Sequence, residues 1–137
     1  MSCIFCKIVE RHIPSHVVYE DEATLAFMDI NPGTRGHVLV IPKQHAADIF
    51  EVRPEDLAAV THTGQRVALA VRQALGCDGV NLVQSNGAAA FQSVFHLHLH
   101  VIPRYVGDDV RLPWIPKRAE AAELTSTAEK LREALRS

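Results

Sequence analysis

The 137-residue sequence has no dominant charge, no long apolar run and no even complement of cysteines. Its 14 Lys and Arg against 16 Asp and Glu give a formal charge of −2. That balance removes the basic footprint of a dedicated duplex-DNA or membrane-surface binder, so neither nucleic acid nor a membrane is an expected partner. A nucleotide-sized anion remains within reach of a local site. No apolar run approaches the roughly 20 residues that span a bilayer; the longest are Val38-Leu39-Val40-Ile41 and Val67-Ala68-Leu69-Ala70-Val71. The first residues, Met1 to Lys7, show no basic region followed by an apolar stretch, so a secretion signal is not expected and a cytoplasmic location is. Low-complexity segments and internal repeats are also missing.

Three cysteines leave an odd one over. In a reducing compartment the pair Cys3-x-x-Cys6 points to metal or redox chemistry rather than to a structural disulfide. A thioredoxin-like arrangement would need a strand ahead of the pair, and almost no chain precedes it.

What is present is one ordinary domain's worth of chain, with 47% hydrophobic and 22% charged residues. Such a chain should bury about two-thirds of its unfolded surface and have a radius of gyration of about 14 Å. Apolar runs predict strands over residues 17 to 20, 23 to 30, 37 to 41, 79 to 85 and 94 to 102, the first two forming a hairpin across Asp21-Glu22. Asn31-Pro32-Gly33 ends the second run, and Pro42 the third. Pro54-Glu55 suits the first turn of a helix. Apolar residues then recur at three- and four-residue steps to Leu75, and Gly76 supplies a stop, so a long helix is predicted over 54 to 76. The loop Asn86 to Ala90 is rich in small residues. Past Pro113 and Pro116, composition predicts a final helix over 117 to 135. The order of runs favours an α+β fold with a largely antiparallel sheet, in a single domain with its core over about 3 to 105 and a C-terminal tail from 106 to 137.

Eight histidines occur, and three alternate strictly in Phe95-His96-Leu97-His98-Leu99-His100-Val101. In a strand His96, His98 and His100 share one face with Cα spacings of about 6.6 Å, while Phe95, Leu97, Leu99 and Val101 share the other. Three readings compete. A solvated polar face is the plainest, but adjacent imidazoles disfavour one another's protonation, and solubility does not call for them. A catalytic metal site would use two of them and leave a coordination position open. In a nucleophilic site a neutral imidazole attacks an electrophile while its neighbours steady the developing charge. A phosphoryl centre suits the last reading, because its transfer needs positioning and donors around the equatorial oxygens and little else. Asn86, Gln92 and Ser93, on the loop feeding this strand, are candidate donors.

The segment Gln92 to Arg104 resembles the signature of the histidine-triad (HIT) nucleotide hydrolases and transferases, His-φ-His-φ-His-φ-φ. Cys3 to Val9, Ala26 to Pro32 and Gly36 to His45 are similar to that family's other blocks, in the same order, so the resemblance covers roughly residues 3 to 105. It implies a five-stranded, largely antiparallel sheet with one long helix and a C-terminal helix, commonly paired as a homodimer. It also implies cleavage of the α-phosphate bond in nucleoside monophosphate adducts, with a purine nucleotide as substrate. On it, His98 is the nucleophile, His100 contacts the phosphate and His37 completes the cluster. Asn86, Gln92 and Ser93 hold the phosphate and leaving group, Asp29 binds the ribose hydroxyls, and Phe5, Ile8, Phe27 and Ile30 form the base pocket. For His98 to attack, it must be neutral, with its other ring nitrogen fixed as a donor, most simply to a backbone carbonyl.

Cys3-x-x-Cys6 is half a zinc site. His45 follows a strand expected beside the triad strand, and His96 is the triad member least needed for phosphate. Some bacterial members of the family are similar in carrying zinc at matching positions. A structural zinc held by Cys3, Cys6, His45 and His96 is therefore expected, with no organic cofactor. The remaining Cys77, His12, His16 and His62 are assigned no chemistry. Arg104 is either a charge for phosphate or a solvated strand end, and Trp114 is a candidate to pack on a dimer partner or to approach its active site. Two other functions stay open: a nucleotide-binding regulatory module with little turnover, and a zinc-dependent metallohydrolase.

Overall fold

The structure is a computed structural model that describes residues 3–111 and 114–136; Pro113 lies outside them. Five strands form one sheet: β1 (Val17–Glu20), β2 (Thr24–Met28), β3 (Val38–Pro42), β4 (Gly79–Gln84) and β5 (Leu99–Arg104). Their order is β1-β2-β3-β5-β4 and every pairing is antiparallel. The fold is α+β, as the order of apolar runs implied.

Central strand β3 reads Val-Leu-Val-Ile-Pro without a polar break because it is buried on both faces. On one face Val38 and Val40, with Ala26, Leu99 and Val101, meet Val60, Val67 and Val71 of the long helix α2 (Pro54–Leu75). Each such valine contributes about 1.5 kcal/mol or more by leaving water. Helix and sheet approach closely at Gly64, where a Cβ would stand 2.6 Å from Leu99 Cδ2. Buried Thr24 and Thr63 join the two layers through a 2.8 Å hydroxyl contact. Gly76 ends α2 in the left-handed region at φ 64°, its N–H returning to the Arg72 carbonyl.

On the opposite face Leu25, Phe27, Leu39 and Ile41 pack against Phe5 and Ile8 of a six-residue helix, α1 (Ile4–Val9). No local pattern announces α1; it is too short to persist alone, and its order comes from this packing and from Cys3, whose Sγ accepts the Cys6 N–H. The final helix, α3 (Ala121–Leu135), starts four residues later than composition implied and buries no residue.

The histidine segment differs most from expectation. The ladder starts at Leu99, not at residue 94, and residues 94 to 96 bend. The Leu97 N–H bonds the Ala46 carbonyl instead of a strand neighbour. Leu97, Leu99 and Val101 are buried, but Phe95 is 49% exposed and does not join their face.

Candidate active site

The three alternating histidines separate into two clusters. His98 and His100 line a cleft of about 390 Å³ with Phe5, Ile8, Phe27, Asp29, Ile30 and Ser93. Their rings lie 5.0 Å apart. His96 turns away toward Cys3, Cys6 and His45.

In the cleft, hydrogen bonds to the backbone settle which nitrogen carries a proton. His98 Nδ1 lies 2.9 Å from the His96 carbonyl, which can only accept, so Nδ1 is the donor and in the neutral ring Nε2 keeps a bare lone pair. The Gly33 N–H donates to His37 Nδ1 at 2.9 Å, so the His37 proton sits on Nε2. That nitrogen is 2.9 Å from His100 Nδ1, which must accept, leaving His100 as an Nε2–H donor. Asp29 Oδ2 stands 3.5 Å from His37 Nε2, while Oδ1 accepts the Asn31 N–H. Burial lowers the pKa of His37, with Asp29 opposing, and brings His100 down to about 4, with His98 and His37 adding to the effect. Burial thus keeps His37 and His100 neutral, and His100 has one free N–H beside Nε2 of His98.

The structure places the three expected loop donors differently from one another. Gln92 is 5% exposed and its amide is fully used: Oε1 accepts the Gly87 N–H, and Nε2 donates to the Ala47 and Val94 carbonyls. It clamps two loops together and is not placed to hold a phosphate. Asn86 exchanges two hydrogen bonds with Gln84 and accepts the Ile49 N–H, which braces the loop and leaves its second Nδ2 N–H uncommitted. Of the three, only Ser93 lines the cleft. Arg104 is spent on Asp108, Asn81 and the Val110 carbonyl. Sequence reasoning missed Gly33, read only as a turn former, and the cleft-lining Ile13, Leu39 and Val94; a backbone amide leaves no signature in residue type. A second groove, of about 440 Å³ between Tyr19, Arg66 and Val71, lies beside α2 and contains no histidine, cysteine or carboxylate.

The second cluster has the donor set of a closed metal centre. Cys3 Sγ lies 3.4 Å and Cys6 Sγ 3.6 Å from His96 Nδ1; Cys6 Sγ lies 3.4 Å and His96 Nδ1 3.1 Å from His45 Nδ1. Zn–S and Zn–N bonds in a tetrahedron imply ligand-to-ligand edges of about 3.3 to 3.8 Å, close to these values. His96 Nε2 donates to the Pro42 carbonyl at 2.8 Å, so its Nδ1 is a bare lone pair facing the sulfurs, held by the carbonyl partner that orients metal-ligating imidazoles. Burial, with Cys3 alongside, pushes the Cys6 thiol up to about 11; a bound cation would reverse that preference. Asp29, His37 and His100 also come within 4.8 Å of one another, but a proton already occupies His37 Nε2, and metal there would require an imidazolate.

A family model described as "HIT domain" matches residues 10–107. The chain belongs to the HIT domain family. A HIT family protein from Bacillus anthracis is similar in structure at 40% identity and TM-score 0.91, over 97% of this chain and 96% of that one. A zinc-bound histidine triad family protein from Mycobacterium smegmatis is 46% identical with TM-score 0.78, each chain 98% covered. A histidine triad nucleotide-binding protein from Candida albicans is 32% identical with TM-score 0.88, over 98% of this chain and 97% of that one. The adenylylsulfatase HINT3 of Arabidopsis thaliana is 37% identical over 130 residues, 90% of this HIT chain and 66% of its own length.

Proposed function

We propose that this HIT protein is a nucleotidyl hydrolase acting on purine nucleoside monophosphates that carry a leaving group on the α-phosphate. The observation that carries this reading is the pairing, at one cleft, of a bare His98 Nε2 with a His100 Nε2–H donor. His98 Nε2 attacks phosphorus, an N–P bond forms, and the bond to the leaving group breaks. Ser93, which lines the cleft, suits the leaving-group side, and the His100 N–H suits a non-bridging oxygen. Water then attacks phosphorus, the N–P bond breaks and nucleoside monophosphate departs. Asp29 faces the cleft where it can accept from ribose hydroxyls, and Phe5, Ile8, Phe27 and Ile30 supply apolar walls for the base. A nucleotide-binding relative and an adenylylsulfatase relative support the same substrate class.

Cys3, Cys6, His45 and His96 fit a structural zinc, which would supply a fixed anchor for α1; a zinc-bound relative supports that assignment. Four protein donors leave no open position, so a metallohydrolase at this cluster is disfavoured. Free cysteines suit a cytoplasmic setting. Edge strand β4, with exposed Leu82 and Val83, suits pairing as a homodimer. The test of the hydrolase reading is rapid quenching with adenosine 5′-phosphoramidate labelled at phosphorus. Label bound to protein through nitrogen, together with net retention in a chiral-phosphorus substrate, is expected. Inversion with no bound label overturns the covalent step.

A further inference from the structure

Helix α1 faces both clusters at once. Cys3, at its N-cap, and Cys6 enter the four-donor cluster, while Phe5 and Ile8 of the same six residues wall the cleft. The Phe5 ring stands edge-on to His96 at 5.8 Å and to His98 at 5.2 Å. Residue 96 is a second link. Its Nδ1 faces the sulfurs, its Nε2–H is held by the Pro42 carbonyl, and its own carbonyl accepts the His98 Nδ1–H. Fixing the imidazole at both nitrogens therefore also fixes the carbonyl that sets the tautomer of His98.

We propose that a cation held by Cys3, Cys6, His45 and His96 positions the nucleotide site, through Phe5 on α1 and through the His96 carbonyl. This rests on the nucleotide reading above. With the cluster filled, α1 is ordered, the base wall is formed and His98 keeps one tautomer. With it empty, a helix this short loses its anchor and the bare Nε2 of His98 is no longer enforced. His96 and Cys6 are in this sense positioning residues, and their effect on nucleotide is exerted without contact.

The experiment compares protein stripped of metal by a chelator under reducing conditions with a matched sample reloaded with Zn²⁺. AMP affinity is measured by calorimetry, the His98 tautomer by ¹⁵N shifts, and the order of α1 by amide exchange. The loaded protein is expected to bind AMP at least about tenfold more tightly. It should show His98 as a single Nδ1–H tautomer and protect α1, while α2 and β3 keep native signals in both samples. Equal affinity with an unchanged tautomer overturns the proposal. So does loss of the α2 and β3 signals on stripping, which would make the cluster a staple of the whole fold. Phe5→Ala, which leaves all four donors in place, should keep its zinc stoichiometry and still bind AMP more weakly; wild-type affinity in that variant overturns the route through α1. Loaded wild-type protein that binds no AMP sinks the nucleotide reading and this proposal together, whereas loaded and stripped proteins that bind it alike sink this proposal alone.

Discussion

His96 and His100 are four residues apart, and burial is the leading cause that brings both imidazoles down to about 4, yet they face opposite demands. His96 gives its proton to the Pro42 carbonyl and turns a lone pair on two thiols and a second imidazole. His100 fills its Nδ1 with the proton of His37 and presents an N–H to the cleft. One backbone group decides each case: the Pro42 carbonyl makes a ligand, and the Gly33 amide, acting through His37, makes a donor. Burial removes the charge from a histidine; the nearest backbone dipole then selects which neutral form remains, and hence which chemistry.

Removing His98 separates the clusters most sharply. His98→Ala should lower turnover of adenosine 5′-phosphoramidate at least about a thousandfold, while zinc content by elemental analysis stays at the wild-type value. Turnover within tenfold of wild type would remove His98 from the nucleophile's role. Cys6→Ala is the converse. It should abolish stoichiometric zinc and cost about 3 kcal/mol of stability, seen as a fall in Tm of roughly 10 °C, while ¹⁵N shifts still report the His100 Nε2–H tautomer. A Tm indifferent to the cysteine would leave the cluster without structural weight.

Acid should expose the donor cluster next. His100 has an ordinary pKa near 6.5 in the unfolded chain and one of about 4 in the fold, and His37 is shifted the same way. Between those values the unfolded chain binds protons that the folded one rejects. Stability from this source is therefore complete above about pH 6.5 and is lost as pH falls toward 4, by at most about 3 kcal/mol for His100. Urea denaturation at pH 7.5 and 4.5 should show wild type losing more stability than His100→Asn; equal losses would contradict the assignment.

Much of the layered fold was legible because its signals are local. The three- and four-residue steps into Leu75, closed by Gly76, mark α2, and the unbroken Val38 to Ile41 run marks a strand buried on both faces. The histidine alternation marked a segment that lines the cleft, but residues 94 to 98 are not laddered. Gln92 and Leu97 tie them to the loop at Ala47 and Ala46, contacts that are distant in the chain and that no periodicity encodes. Helix α1 was hidden for the same reason, its order coming from Phe27, Leu39 and the cysteine cluster. Gln92 has the right chemistry and the right place in the chain for phosphate, yet its amide is consumed by the loops it braces.

The smallest effect isolates the proton relay itself. His37→Phe keeps a ring in the buried position but cannot accept from Gly33 or donate to His100, so both tautomers of His100 become available. A donor present part of the time should cost about tenfold in kcat. His37→Gln places an amide N–H near the position of Nε2 and should restore kcat to within about threefold. The discriminating measurement is the ¹⁵N spectrum of His100: one Nε2–H form in wild type and His37→Gln, a mixture in His37→Phe. If the two variants lose activity equally while the spectrum stays that of wild type, the Gly33 amide does not set the donor, and the likeness between the Pro42 carbonyl and the Gly33 amide as tautomer selectors fails.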